Sequence, residues 1–126
     1  MDTDIAQFTV SFIFGLLWYR IIFFIFPSYF KKPIIRSVLK LRWHHLHWGI
    51  MLMLSGTALL VASGKSALVI ILLGIGLGLV IDLFIPSLQL QTDREKELFV
   101  YRNSLVSTLL LGACIIVILN VLNFLL

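Results

Sequence analysis

Four apolar runs dominate this chain, and each is close to the length that an α-helix needs to cross a bilayer. They cover residues 5–26, 43–63, 67–85 and 101–126. A helix rises about 1.5 Å per residue, so about 20 residues cross a hydrocarbon core about 30 Å thick. Backbone polar groups in lipid must bond within their own segment, which favours helices. The runs therefore predict an all-α integral membrane four-helix bundle, with residues 1–126 forming a single transmembrane domain.

The composition argues against a soluble fold. Of 126 residues, 60% are hydrophobic and 13% are charged, and the mean hydropathy is +1.07. Soluble domains carry about 25% charged residues, and a chain this short has too much surface to hide its apolar side chains in one core. The first residues are acidic, unlike those of a cleavable signal peptide, so we expect the first run to stay in the protein. The one cysteine, Cys114, excludes an internal disulfide.

A basic segment separates the first two runs. After Pro33, apolar residues recur at helical spacing, which predicts a short amphipathic helix at about residues 33–42 in the headgroup layer. Anionic lipid headgroups are the expected partner, because nucleic acid would leave the apolar face of this helix exposed. The side chains that we expect to contact anionic lipid are Lys31, Lys32, Arg36 and Lys40.

The positive residues also predict the orientation. Nearly all of them lie in or beside the two long connectors, and Lys65 alone lies in the opposite loop. Cytoplasmic loops carry an excess of Lys and Arg. Both connectors are therefore predicted to be cytoplasmic, and both termini are predicted to lie outside.

The second run begins at Arg42-Trp43-His44-His45-Leu46-His47-Trp48-Gly49, which contains all three histidines. His44 and His47 are three residues apart and share a helical face. If the next two helices form a hairpin that turns at Gly64, position 47 is level with Asp82, the one acidic residue within the four runs. An acidic side chain in lipid usually faces a partner or water.

These positions predict a cytoplasmic-side pocket whose ligand-binding candidates are His44, His47, Asp82, Arg42 and Arg102. In the first interpretation, the pocket binds a proton or a lipid headgroup. A divalent metal is the alternative, because two histidines and one carboxylate match an open metal site; its ligands would be His44, His47 and Asp82. Glu95 or Glu97 would then be a further ligand or a base. An inert interfacial cluster is the third interpretation.

Two other features concern the packing of the runs. Arg20 interrupts the first run, so it must either snorkel to the interface or pair inside the bundle, and we expect snorkelling. Gly74 and Gly78 form a small-xxx-small face, which predicts the close approach of another helix. Ser104, Ser107 and Thr108 are predicted either to bond the local backbone or to line the cytoplasmic pocket.

Two stretches resemble an uncharacterised family of small multi-pass prokaryotic membrane proteins. They are Arg42-x-His44-His45-x-His47-x-Gly49 and Gly74-Ile75-Gly76-Leu77-Gly78-Leu79-x-x-Asp82. The resemblance implies a multi-pass protein of a prokaryotic cell membrane and candidate site positions, and it implies no established activity. Members often carry a second acid directly after the aspartate. This chain has Leu83 there, which weakens the metal hypothesis because one carboxylate is lost.

Three function classes remain open. We favour a non-enzymatic membrane protein that binds a lipid headgroup, an ion or a partner at the pocket, alone or within a homo-oligomer or larger membrane complex. A metal-dependent membrane enzyme acting on lipid is the second class, although membrane hydroxylases and desaturases use more than three histidines. An oligomeric channel or transporter is the third. A transporter would have few groups with which to couple substrate movement to an ion, since Arg20 and Asp82 are the only clear intramembrane charges.

Overall fold

Every regular element that the structure describes is an α-helix, as the sequence predicts. The structure is a computed structural model, and it describes residues 3–25, 45–87, 99 and 101–126. The four helices are α1 (Thr3–Ile25), α2 (His45–Ser63), α3 (Ala67–Ser87) and α4 (Leu105–Leu125). The predicted interfacial helix at residues 33–42 lies outside the described residues.

Three of these helices are long and apolar enough to cross a membrane: α1, α3 and α4. In α2 the apolar stretch is His47–Ser63, which is shorter. The described residues therefore hold three clear candidate spans where the sequence predicted four. They support the prediction of an integral membrane protein.

A three-residue loop joins α2 to α3 and makes them an antiparallel hairpin. Gly64 ends α2 with φ +82°, a left-handed conformation that glycine adopts without steric cost. Its N–H donates to the carbonyl of Leu60 at 3.0 Å. The hydroxyl of Ser66 accepts from the N–H of Val69 at 3.3 Å and so caps the start of α3.

Helix α3 lies at the centre of the fold and contacts each of the other three helices. Its two glycine faces explain how the neighbours approach. A Cβ placed on Gly78 would lie 2.6 Å from the backbone nitrogen of Leu16 in α1, and one on Gly76 would lie 2.8 Å from the carbonyl oxygen of Gly49 in α2. The predicted close approach at Gly74 and Gly78 is therefore confirmed, and α1 is the helix that makes it.

The small core lies where α1, α3 and α4 meet. Phe12, Leu16 and Ile81 are buried together there. Gly112 of α4 faces the side chain of Leu16, which brings α4 against α1. Many of the remaining large apolar side chains are exposed, as expected where lipid tails are the solvent.

An exposed ion pair lies at one end of the molecule. Lys65, in the loop between α2 and α3, pairs with Asp4 in the first turn of α1. The start of α1 and the hairpin loop therefore lie at the same end of the fold. The end of α1, the start of α2, the end of α3 and the start of α4 lie at the other end.

Candidate functional site

A cluster of buried polar side chains lies near the end of the fold that the sequence predicts to be cytoplasmic. Its centre is Arg20, which is only 2% exposed although it sits within an apolar helix. The side chain follows the buried face of α1, one turn after Leu16. It lies about 8 Å from the end of the helix, at about 1.5 Å per residue. The expected snorkelling is therefore wrong, and the alternative, pairing inside the bundle, is what the structure shows.

The guanidinium of Arg20 joins three helical segments. Its Nε donates to Oδ1 of Asp82, which is 0% exposed. Its Nη1 donates to the backbone carbonyl of Tyr101 at 2.6 Å. Its Nη2 lies 3.0 Å from the hydroxyls of both Ser104 and Thr108, and 3.2 Å from the carbonyl oxygen of Asp82. One side chain of α1 thus binds both α3 and the start of α4.

Tyr101 contacts both charged residues of the cluster. Its hydroxyl donates to Oδ2 of Asp82 at 2.6 Å, and its ring lies 4.2 Å from the guanidinium carbon of Arg20. The ring also meets Phe23 edge to face, with centroids 5.2 Å apart. Desolvation strengthens such a cation–π contact. The tyrosine therefore bonds the carboxylate and stacks on the arginine at the same time.

The chain turns at Ser104, just before α4, and the backbone carbonyl of Tyr101 at this turn accepts a bond from Arg20. The Ser104 hydroxyl donates to the carbonyl oxygen of Tyr101 at 2.9 Å. That oxygen accepts from Arg20 as well. A carbonyl with two lone pairs can accept both bonds, so the break before α4 leaves no unpaired oxygen at this point.

The described polar side chains of the cluster are hydrogen-bonded, and its described charges are one positive and one negative. Arginine has five N–H donors, and the described acceptors engage all three of its nitrogens. Each oxygen of Asp82 accepts at least one bond. A buried ion pair is stable only when its remaining bonding capacity is met, which is the case here. In chemical terms the arrangement holds the helices together.

The hairpin register sets the relative depth of His47 and Asp82, and the glycine contacts show the rotation of α3. A Cβ on Gly49 would meet Leu79 and Val80, so position 47 lies near the level of position 82. However, Asp82 follows Gly78 by one turn on the face that packs against α1, while Gly76 is on the face that packs against α2. Equal distance from a turn gives the depth of a residue and leaves its direction undetermined.

The other predicted site residues are divided between described and undescribed parts of the chain. Arg102 is exposed and does not belong to the buried cluster. His47 is half-buried. Outside the described residues lie His44, Arg42, Glu95, Glu97 and the four lysines and arginines expected to contact anionic lipid, Lys31, Lys32, Arg36 and Lys40. The pocket of His44, His47 and Asp82 therefore stays a prediction.

The metal hypothesis also stays a prediction. Among the described residues, no group of three or more His, Cys, Asp and Glu side chains could hold a metal ion. His44 is one of the proposed ligands and is not among those residues. Asp82, another proposed ligand, already accepts from Arg20 and Tyr101.

Sequence reasoning missed the roles of Arg20, Tyr101, Ser104 and Thr108 in one cluster. A usable signal was present, because Arg20 and Asp82 are opposite charges that lie six and three residues before the ends of their runs, and both of those ends are predicted to be cytoplasmic. Intramembrane charges commonly pair with one another. The hydroxyls were noted, and one alternative given for them, bonding to the local backbone, is found at Ser104, which also accepts from Arg20.

Comparison of the chain with models of protein families, with curated proteins and with solved structures found no match. The resemblance carried by the histidine and glycine stretches therefore stays a prediction.

Proposed function

We propose that this protein is a non-catalytic multi-pass membrane protein whose cytoplasmic face binds anionic lipid headgroups. In this proposal α1 to α4 form a four-helix bundle in a cell membrane, with both termini outside. The basic segment before α2 lies in the headgroup layer. His44 and His47 contribute to the same face.

The observation that carries the proposal is that Arg20 and Asp82 pair with each other inside the described part of the bundle. Arg20 and Asp82 bond to each other and to neighbouring backbone and hydroxyl groups. These two charges support the fold, and we assign lipid recognition to other groups. The basic side chains at the membrane surface are the best candidates for that recognition, because they attract anionic lipid at about 1 kcal/mol per residue.

The position of Trp48 supports a headgroup layer at this level. The side chain is 53% exposed, and it follows His47 at the start of α2. Tryptophan is enriched where a membrane helix meets the interface. The basic segment directly precedes this point in the chain, and Arg102 is exposed at the start of the described C-terminal segment. Positive charge and an interfacial aromatic residue thus occur at the same end of the fold.

Fluorescence quenching by brominated lipid tests the proposal directly. A variant with Trp18→Phe and Trp43→Phe keeps Trp48 as the one reporter. It is reconstituted in nanodiscs that contain either brominated phosphatidylglycerol or brominated phosphatidylcholine. We expect several-fold stronger association of the anionic lipid at about 0.1 M salt and loss of this preference at about 1 M salt, where the screening length falls to about 3 Å.

Charge variants identify the surface that is responsible. Replacing Lys31, Lys32, Arg36 and Lys40 with Gln should abolish the preference for phosphatidylglycerol. The matched control is Lys65→Gln, because Lys65 lies in the loop at the opposite end. An equal preference in the fourfold variant, or one that does not depend on salt, would contradict the proposal.

A further inference from the structure

The described bonds of Arg20 share one property that the proposed function does not use. All of them go to residues that come much later in the chain: Asp82, Tyr101, Ser104 and Thr108, at separations of 62 to 88 positions. Helix α1 supplies none of these acceptors. The arginine that interrupts α1 is therefore satisfied wholly by α3 and by the segment that begins α4.

Loss of Asp82 would leave a fixed charge in α1. A guanidinium cannot lose its proton in a protein, so Arg20 would stay charged in the bilayer. A charged side chain in the hydrocarbon region is costly, and α1 would bear this cost.

The two helices also differ in how much apolar surface opposes that cost. Both are long enough to cross a membrane, and α3 is the more apolar of the two. α3 is further held by the hairpin with α2, through the contact of Gly76 with Gly49. α1 has the acidic Asp4 near its start and Arg20 near its end.

We infer that α1 keeps its transmembrane position only while Asp82 supplies a negative charge to Arg20, whereas α3 keeps its own position without Arg20. The dependence therefore runs in one direction: the position of α1 requires Asp82, and the position of α3 does not require Arg20. Tyr101, Ser104 and Thr108 add dipoles around the guanidinium, and the charge that offsets it comes from Asp82. This inference concerns assembly of the fold and does not rest on lipid binding.

Single-cysteine labelling of the full chain tests the dependence. In a Cys114→Ser background, one protein carries Thr3→Cys at the start of α1, and a second carries Lys65→Cys in the hairpin loop. Both positions are exposed. A membrane-impermeant maleimide is applied to either side of sealed native membranes. With Arg20 and Asp82 intact, both cysteines should react from the same side, since the two positions lie at the same end of the fold.

Substitution of the pair then separates the two directions of dependence. Asp82→Leu should lower same-side labelling of Thr3→Cys at least about tenfold while Lys65→Cys is unchanged, because Arg20 is left charged in lipid. Arg20→Leu should keep both labels on the original side, and so should the double variant Arg20→Leu/Asp82→Leu. Thr108→Val is the matched control, since it removes a bond and no charge.

Two results would overturn the inference. One is unchanged labelling of Thr3→Cys in Asp82→Leu, which would mean that the apolar residues of α1 hold it in place without the pair. The other is equal loss of labelling in Arg20→Leu. If Asp82→Leu fails to accumulate, recovery of the double variant supports the dependence, and failure of the double variant as well contradicts it.

Discussion

The contact between α1 and α3 at Gly78 makes a specific prediction for the substitution Gly78→Ala. The added Cβ would lie 2.6 Å from the backbone nitrogen of Leu16 and 2.9 Å from the carbonyl carbon of Gly15. Non-bonded heavy atoms pack at about 3.5–4.0 Å. Since these neighbours are backbone atoms, no side-chain rotation can relieve the overlap, and α1 must move away from α3 by about 1 Å.

This movement would also weaken the buried ion pair. Gly78 lies one turn before Asp82, and Leu16 lies one turn before Arg20, so the same displacement separates the charged groups. Overpacking of a close contact typically costs about 1–3 kcal/mol. We expect Gly78→Ala to fall in this range, toward its upper end because the ion pair is strained as well.

Gly56→Ala is the matched control for this effect. A Cβ on Gly56 would lie 3.0 Å from both Cγ and Cδ2 of Leu73, which are side-chain and not backbone atoms. Both substitutions make the same change in helix propensity, so their difference isolates the packing at Gly78. Unfolding of both variants in a mild detergent, followed by fluorescence against denaturant, measures that difference. Equal stabilities would refute the direct backbone contact between α1 and α3.

The remaining predictions concern the polar cluster and the exposed ion pair. Tyr101→Phe keeps the ring over the guanidinium and removes the bond to the buried carboxylate, so it should destabilise the protein by about 1–3 kcal/mol in the same unfolding assay. Ser104→Ala and Thr108→Val each leave the other hydroxyl as an acceptor for the arginine, so the double variant should cost more than the sum of the singles; additive costs in this double-mutant cycle would contradict shared bonding. Lys65→Gln breaks a pair with Asp4 that is exposed at both ends, and it should change stability by less than about 1 kcal/mol, an effect that salt removes.

The helical architecture was predictable because it depends on run length and polarity. The sequence placed the first helix at residues 5–26, and the structure places it at Thr3–Ile25. The glycine face at Gly74 and Gly78 was predictable for a similar reason, since small residues one turn apart permit close packing. Neither inference needs to know which helix is the neighbour.

The buried cluster depends on information that spacing along one hairpin does not contain. Counting from Gly64 gives the depth of Asp82 and leaves its rotation undetermined, so it does not predict the bond from Arg20 of α1. The rotation of α3 is set by which glycines meet which helix, with Gly78 against α1 and Gly76 against α2. The hydrogen bond from Arg20 to the Tyr101 carbonyl could not be predicted from the sequence either, because it depends on the turn at Ser104.

Because α3 contacts the other three helices, its rotation about its own axis determines which side chains meet in the fold. An α-helix turns about 100° per residue. A single residue inserted between Gly78 and Asp82 would leave both glycine faces in place and swing the carboxylate about 100° around the axis, away from Arg20. Deletion of one residue would swing it the other way. The number of residues between the glycines and the aspartate is therefore under as strict a constraint as the charge itself, and related chains that share this fold should vary in sequence there without varying in length.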